Sequence, residues 1–176
     1  GRTLSYDSSS SYGYSPFYNK ATITSVAIGD NVTSIGDYAF YGCSGLTTIE
    51  MQNVKTIGQY SFYSCTGFVD IVIPDTVTSI EYASFAKCSN LISITISKNI
   101  SNIGRNAFES CTSLKDCYCK STTPPSFGGY VFLYNATGRK IYVPAESVAA
   151  YKSADGWKDY AADIVGYNFE TGEIVE

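Results

Sequence analysis

Apolar residues recur along this chain at a fixed interval. Cysteines follow one another at steps of 22, 23 and 23 residues, and a phenylalanine stands three positions before each of them. An isoleucine stands five positions before each of these phenylalanines. Apolar residues that return to the same slots at such a period indicate a stack of similar structural units. The cysteine column consists of Cys43, Cys65, Cys88 and Cys111.

Each repeat combines two hydrophobic periods. After the cysteine, strict alternation at positions such as Ile71 and Ile73 predicts a β-strand with one buried face. Around the phenylalanine, apolar residues three positions apart, such as Phe62 and Cys65, predict one or two helical turns. A V-x-x-I pair links the two as a short extended segment. Successive coils are expected to pair their strands in parallel, about 4.8 Å apart.

The repeats divide the chain into three parts. Residues 32–122 hold four regular repeats. Residues 1–31 are predicted to be an N-terminal segment with a degenerate first repeat, because Phe17 stands one period before the first regular phenylalanine. The apolar slots of its extended segment would fall on Ser9 and Tyr12. End repeats of a stack are commonly atypical, since they have a neighbour on one side only.

Residues 123–176 are predicted to form an irregular last repeat and a C-terminal helical cap. Within this part, residues 145–154 are predicted to be a helix that begins directly after Pro144. Trp157, the only tryptophan, is predicted to cover the open end of the apolar columns. The tail, residues 167–175, is expected to form a small hairpin.

The repeat resembles a known family. Its frame, I-G-x-x-A-F-x-x-C-x-x-L-x-x-I-x-I-P-x-x-V, is similar to the BspA-type leucine-rich repeat. The terminal IYVPAESVAAYKSADGWKDY is similar to the closing segment of such proteins from gut and oral anaerobes. Cys117 and Cys119 depart from the pattern, because they replace the usual aliphatic residues. The match is fullest at Ile57, Gly58, Ser61, Phe62, Cys65, Phe68, Ile71, Ile73, Pro74 and Val77.

The predicted fold class is an α/β repeat solenoid. It is a right-handed leucine-rich-repeat coil of repeats of 22 to 23 residues, with parallel strands on one face and short helical turns on the other. The resemblance also implies a non-enzymatic protein that is secreted or displayed on the cell surface. The family is associated with adhesion to host matrix proteins, host cells or other bacteria.

Charge and composition narrow the possible functions. Only 16% of the residues are charged and the net charge is -4, which argues against nucleic acid binding and a polybasic membrane contact. No stretch of eighteen apolar residues occurs, so no transmembrane segment is predicted. The absence of histidine removes the usual general base, the usual zinc ligand and the common nucleophile pairs. We therefore expect no catalytic residue, no metal site and no cofactor.

The cysteine column is expected to be structural. A zinc site would need sulfurs that converge on one point, whereas a stack places one cysteine in each coil along a row. Disulfides between neighbouring coils are conceivable from the spacing, but parallel coils point these side chains the same way. Each cysteine is thus predicted to be a small buried hydrophobe. Cys117 and Cys119 face inward on one strand and are interpreted as core substitutions.

The outward side of the strands is the first candidate ligand surface. It is predicted to be broad, polar and mildly acidic, and solenoids bind proteins through such extended surfaces. Asp70 and Asp116 would lie about 10 Å apart, near the carboxylate separation of an inverting glycosidase, but a solvated polar face is the favoured interpretation. The predicted surface comprises Thr48, Glu50, Asp70, Val72, Ser93, Thr95, Asp116, Tyr118 and Tyr142.

A tyrosine patch on the opposite side is the second candidate surface. Its members recur in columns from coil to coil and stand three positions apart within a coil, so they are expected to face one way. Tyrosine suits both glycan stacking and protein contacts, because its ring is rigid and amphipathic. Packing between coils would explain the same pattern. The predicted patch comprises Tyr38, Tyr41, Tyr60, Tyr63 and Tyr82.

The sequence therefore predicts a non-enzymatic binding module, extracellular or on the outer cell surface, that mediates adhesion through protein–protein contacts. The expected partner is a host-matrix or cell-surface protein, or a glycan. The alternatives are a glycan-binding component of a polysaccharide or mucin capture system, and a structural spacer that presents another domain. Because the sequence begins with Gly1 and not with methionine, we expect that a signal or lipid anchor has been removed.

Overall fold

The computed structural model describes the strand backbone of residues 2–4 together with residues 15–175, and it shows a stack of about six coils. The apolar slots of the repeats fill the interior, as the repeat pattern predicts. Strands form two sides of a coil and tight turns form the third. The strands are β1 Arg2–Leu4, β2 Ser25–Ala27, β3 Val32–Ile35, β4 Thr48–Glu50, β5 Thr56–Ile57, β6 Asp70–Val72, β7 Ser79–Ile80, β8 Ser93–Ile96, β9 Asn102–Ile103, β10 Asp116–Cys119, β11 Ser126–Phe127, β12 Lys140–Pro144, β13 Ile164–Asn168 and β14 Glu173–Val175.

The V-x-x-I segments form a parallel sheet of their own. Its six strands pair in the order β1-β3-β5-β7-β9-β11. The register advances by one repeat at each regular step, so that Ile35 pairs with Ile57. The first rung is supplied by Arg2–Leu4, which pairs with β3. The slots predicted at Ser9 and Tyr12 lie outside the described residues.

The L-x-x-I-x-I segments form a second side, here called the strand face. Six strands pair as β6-β8-β10-β12-β13-β14, and only the hairpin of β13 and β14 is antiparallel. The strands β2 and β4 form a separate pair, and no backbone hydrogen bond joins β4 to β6 in the described part of the chain. This break coincides with the 22-residue repeat, which has two residues between Met51 and Val54 where the next repeat has three between Ile73 and Val77.

The third side of each coil consists of tight turns and not of regular helix. The N–H of Tyr41 donates to the carbonyl of Tyr38, a bond between residues three apart. Tyr38 has a φ of 58°, and the equivalent residues of the next four coils also have positive φ. A left-handed residue ends a helical hydrogen-bond pattern, so the predicted helical turns stay single turns. They are joined from coil to coil by bonds such as Phe40 N–H to Ser61 O at 2.8 Å.

Six phenylalanines form a stacked column through the core. Adjacent rings lie with centroids 5.0 to 5.8 Å apart and are nearly parallel. Offset stacking at this spacing stabilises the coil stack beyond the apolar area that it buries. The first ring, Phe17, is 38% exposed, whereas the others are buried. The column consists of Phe17, Phe40, Phe62, Phe85, Phe108 and Phe132.

All six cysteines are buried and unpaired, which confirms that they are structural core residues. The column cysteines have a further role that the sequence did not predict. Each thiol donates a hydrogen bond to the carbonyl oxygen of the phenylalanine one coil earlier, at 3.0 to 3.2 Å. Burial raises the pKa of Cys65 and Cys88 well above the ordinary value of a thiol. These side chains therefore stay protonated and remain hydrogen-bond donors.

The C-terminal segment closes the core. A 3₁₀ turn at Ala145–Ser147 leads into helix α1 at Val148–Ser153, and a second 3₁₀ turn spans Trp157–Tyr160. Trp157 is fully buried, and its indole N–H donates to the carbonyl oxygen of Pro125 at 2.9 Å. The predicted terminal hairpin and the burial of the tryptophan are thus confirmed. The helix predicted over residues 145–154 is shorter than predicted, because its first turn is 3₁₀ and the α-helix spans only Val148–Ser153.

Candidate ligand-binding surfaces

Strand alternation places the predicted strand-face residues outward. Successive side chains of a strand point to opposite faces, so that Val72 is 66% exposed while its neighbour Ile71 is 5% exposed. The nine predicted residues come from five strands. They are Thr48 and Glu50 on β4, Asp70 and Val72 on β6, Ser93 and Thr95 on β8, Asp116 and Tyr118 on β10, and Tyr142 on β12.

The break between β4 and β6 divides this surface. Thr48 and Glu50 belong to the two-stranded sheet, whereas the other predicted residues belong to the six-stranded sheet. A shallow groove of about 150 Å³ lies at the break, and Thr48, Asp70 and Val72 contribute to its lining. The surface predicted as one broad face therefore consists of two neighbouring surfaces, and the larger one carries the aromatic residues.

Aromatic side chains gather at the C-terminal end of the strand face. Tyr118 and Tyr142 stack with ring centroids 4.6 Å apart and planes inclined by 13°. Tyr167 contacts both rings at steep angles, with each centroid 5.3 Å away. The ring centroid of Phe169 lies 5.0 Å from that of Tyr167. These four residues are here called the aromatic cluster.

Asp116 lies beside the aromatic cluster and is bonded to it. The Tyr142 hydroxyl donates to a carboxylate oxygen of Asp116 at 3.2 Å. Partial burial, followed by the negative charge of Asp116, raises the pKa of Tyr142 to about 12. The same two causes raise the pKa of Tyr118. Both phenols therefore stay protonated near neutral pH. Tyr118 can donate a hydrogen bond to a ligand, whereas the Tyr142 proton is already bonded to Asp116.

The two aspartates considered as a hydrolytic pair have different surroundings. Asp70 is exposed on β6 and lines the groove at the break in the strand face. Asp116 is half-buried and bonded to the aromatic cluster. Ser93 stands between them in the column, paired with both. This arrangement favours the interpretation of two separate polar positions on a binding surface.

A groove of about 280 Å³ opens beside the aromatic cluster. A second groove of about 520 Å³ adjoins it and shares the side chains of Lys120, Tyr167 and Phe169. The aromatic cluster therefore borders two neighbouring depressions of the surface. The smaller groove is lined by Val72, Thr95, Tyr118, Lys120, Tyr167 and Phe169.

The predicted tyrosine patch forms two stacked columns on the turn side. Tyr41 and Tyr63 stack with centroids 4.8 Å apart, and Tyr38 and Tyr60 stack at 5.0 Å. Tyr82 meets Tyr60 edge-on at 5.2 Å. Each ring thus packs against a ring of the neighbouring coil, which is the packing role considered from the sequence. The rings also stay partly accessible, and Tyr38 is 37% exposed.

Two residues outside the predicted set extend the tyrosine patch. Tyr18 stacks on Tyr41 at 4.8 Å, and the ammonium of Lys87 lies 5.2 Å from the ring centroid of Tyr63. A hydrogen bond with Tyr63 raises the pKa of Lys87. The repeat period could have revealed Tyr18, which stands 23 positions before Tyr41. Lys87 belongs to a different slot of the repeat and carried no such signal.

Tyr167 and Phe169, in the aromatic cluster, were also missed. They lie beyond the last repeat, so no period relates them to Tyr118. Strand β13 contains Tyr167 and ends directly before Phe169. It joins the strand face because it pairs in parallel with β12 after the helical cap. The sequence predicted the terminal hairpin but not the sheet to which it attaches.

The described residues contain neither a membrane-spanning helix nor a group of metal ligands. None of the helices in residues 2–4 and 15–175 is long and apolar enough to cross a membrane. Within the same residues, no three side chains of histidine, cysteine, aspartate or glutamate are grouped so that they could hold a metal ion.

Solved structures with a similar fold include three leucine-rich repeat proteins. A leucine rich repeat protein of T. pallidum has a TM-score of 0.55 and 25% identity, over 75% of this chain and 69% of that chain. A leucine-rich repeat protein from Bacteroides ovatus has a TM-score of 0.58 and 24% identity, over 80% of this chain and 47% of that chain. A leucine rich cell surface protein from Faecalibacterium prausnitzii has a TM-score of 0.57 and 22% identity, over 99% of this chain and 53% of that chain. The chain thus spans about half the length of the latter two, and the likeness to them concerns the fold alone.

The family follows from the repeat itself. Among curated proteins no significant match to the chain is found. The family described as BspA type Leucine rich repeat region matches residues 10–144 in six copies. This span covers more than half of the chain and includes the tyrosine patch and all the predicted strand-face residues. The chain therefore belongs to the BspA-type leucine-rich repeat family.

Proposed function

We propose that the chain is a non-enzymatic binding module, secreted or displayed on the cell surface, that mediates adhesion by binding a protein partner. Family membership supports this role, because leucine-rich repeat proteins of this kind generally bind proteins and are generally non-enzymatic. A solenoid also supplies the long surface that such contacts require. Surface display is supported by family membership, because BspA-type leucine-rich repeat proteins are typically associated with the cell surface.

The aromatic cluster is the observation that carries this proposal. Tyrosine is enriched among the residues that dominate binding energy in protein interfaces. Tyr118 and Tyr142 hold each other in a stack, so a partner would immobilise few additional rotamers when it binds. Val72, on the same side of the sheet, is 66% exposed and extends the apolar area. Asp116 supplies a charged group at the edge of this area.

A binding screen with matched variants tests the proposal. Fluorescently labelled protein is applied to immobilised host-matrix proteins and mucins, beside the variant Tyr118→Ser/Tyr142→Ser. We expect binding to a protein, and a loss of about tenfold or more in the variant. The control is Tyr130→Ser/Tyr134→Ser, which removes two tyrosines from the turn side that are 55% and 68% exposed.

Each outcome of the screen has a defined meaning. Loss of binding in the cluster variant alone supports adhesion through the strand face. Loss in a Tyr38→Ser/Tyr60→Ser variant, with binding retained in the cluster variant, moves the site to the tyrosine patch. Absence of binding to every protein tested overturns adhesion and favours a spacer. Thermal unfolding of each variant verifies that it is folded.

A further inference from the structure

The ring of Tyr118 has one open face. Tyr142 covers the other face, and Tyr167 and Phe169 meet the ring at steep angles. On the open side the next rung of the strand face is Thr95, which is paired with Tyr118 in the parallel register. A threonine is too small to cover a phenol ring. The aromatic column therefore ends at the groove of about 280 Å³, which has this ring as one wall.

Lys120 gives this groove a positive charge. It is the single charged residue among the six that line the groove. It is half-buried, and none of the ion pairs formed within the described residues includes it. The charge of Lys120 acts on Asp75, but Asp75 forms its ion pair with Lys98. A partly buried ammonium that forms no ion pair of its own would stabilise an anionic group in the groove. The hydroxyls of Thr95 and Tyr167 add neutral hydrogen-bonding groups.

We propose that this groove binds a pyranose ring that carries a carboxylate, as in a uronic or sialic acid. The C–H face of the sugar stacks on the open face of Tyr118, and its carboxylate pairs with Lys120. The sugar hydroxyls bond to Thr95 and Tyr167. The adjoining groove of about 520 Å³ leaves room for the next residue of an oligosaccharide. Glu146 and Glu170 also line it, which favours a neutral sugar at that position.

The charge of the groove selects this class of ligand over a protein side chain of similar shape. An arginine would also stack on Tyr118, but the ammonium of Lys120 would repel it. Free saccharides serve as the probes, so binding in this groove is measured independently of protein adhesion. Loss of protein adhesion with retained saccharide binding would overturn the proposed function and leave this inference standing.

Calorimetric titration at low ionic strength tests the inference. The probes are sialyllactose and an aldobiouronic acid, in which one uronic acid is joined to a neutral sugar, with lactose as the neutral control. We expect both carboxylated saccharides to bind about tenfold more tightly than lactose, as for one charge-assisted hydrogen bond. Lys120→Gln should remove this preference, and Tyr118→Ser should remove binding of all three. Lys140→Gln, on the same face but outside the groove, should bind as the unmodified protein does.

Three results would overturn the inference. They are equal affinity for carboxylated and neutral saccharides, absence of binding to all three probes, and an unchanged preference in the Lys120→Gln variant. Binding of an acidic peptide that depends on Lys120, with no saccharide bound, would assign the groove to a protein partner instead. Unfolding midpoints equal to that of the unmodified protein verify that the variants are folded.

Discussion

The thiol of Cys88 donates a hydrogen bond to the carbonyl oxygen of Phe62, one coil earlier, at 3.2 Å. Cys65 makes the same contact with Phe40 at 3.1 Å. This slot requires a side chain that is small, apolar and able to donate a hydrogen bond, because it lies beside the phenylalanine column and faces a backbone carbonyl. Cysteine combines these properties, whereas alanine lacks the donor. The recurrence of cysteine in every regular repeat follows from this requirement.

Replacement of Cys88 tests the donor role. Cys88→Ala removes both the sulfur and the hydrogen bond, and we expect the free energy of unfolding to fall by about 1–3 kcal/mol. Cys88→Ser keeps a donor near the same carbonyl, so we expect a smaller loss. Urea unfolding of the two variants gives the comparison. If the slot required only apolar volume, serine would destabilise the protein more than alanine, and that order would contradict the donor role.

The buried thiols also make stability depend on pH. Burial raises the pKa of Cys119 from 9.0 to about 11. The thiol of the unfolded chain ionises at lower pH, so the unfolded state loses its proton first as the pH rises. The contribution of Cys119 to stability is therefore complete below the unfolded pKa and is lost between this value and the folded pKa. We expect the free energy of unfolding to fall in that window by up to about 1.4 kcal/mol per pH unit for each such thiol.

Urea unfolding at a series of pH values from about 7 to 10.5 measures this loss. Cys119→Val removes one titrating thiol, so its stability should fall less steeply above the unfolded pKa than that of the unmodified protein. A free energy of unfolding that stays constant to the top of this range would contradict the expected loss. If the free energy of unfolding of Cys119→Val falls with pH as steeply as that of the unmodified protein, Cys119 does not contribute to the loss of stability.

The repeat period predicted the core because every coil presents the same slots. Phe85 and Cys88, for example, are buried for the same reason as their equivalents one period away. The break between β4 and β6 was not predicted, although the 22-residue step was visible in the sequence. One missing residue can be absorbed at any corner of a coil, and the spacing alone does not say which hydrogen bonds are lost.

The sequence predicted those residues of the candidate ligand surface that lie within the repeats, but not those beyond them. Tyr118 and Tyr142 are one repeat apart, and parallel pairing of their strands stacks their rings. Tyr167 reaches the same place through the chain's return from the helical cap, a tertiary contact without a local sequence signal. The sequence could not indicate a role for the charge of Lys120, because that role depends on the groove that Lys120 lines.

Gly128 and Gly129 are neighbours that should respond differently to the same substitution. A Cβ on Gly128 would lie 2.2 Å from the backbone nitrogen of Arg105, one coil earlier. A Cβ on Gly129 would meet nothing within 4 Å. The backbone of Arg105 can yield only if the coils move apart, so we expect Gly128→Ala to lower the free energy of unfolding by about 1–3 kcal/mol. Gly129→Ala should change it by less than about 0.5 kcal/mol. Thermal unfolding of the pair checks the difference, and equal effects would refute tight coil packing at Gly128.

Arg139 is a buried cation that joins the last coil to the helical cap. Its guanidinium forms an ion pair with Asp163 and donates to the carbonyl oxygen of Phe132 at 3.0 Å. It also lies over two aromatic rings, 5.0 Å from the centroid of Phe132 and 5.1 Å from that of Tyr160. The side chain of Arg139 is 8% exposed, whereas that of Asp163 is 34% exposed. The buried charge of Arg139 is therefore stabilised by the Asp163 carboxylate more than the charge of a solvated surface arginine would be by its partner.

Asp163→Asn should destabilise the protein because it leaves the guanidinium buried without a counter-charge. We expect a loss of about 2–4 kcal/mol, towards the lower value because Asp163 is partly exposed. Removal of both charges in Arg139→Met/Asp163→Asn should recover part of this loss, since the uncompensated buried cation is then gone. Lys158→Gln is the control, because its ion pair with Asp155 is exposed and should contribute little to the free energy of unfolding. A double variant less stable than Asp163→Asn would show that the ring contacts and the hydrogen bond of Arg139, and not its ion pair, hold the cap in place.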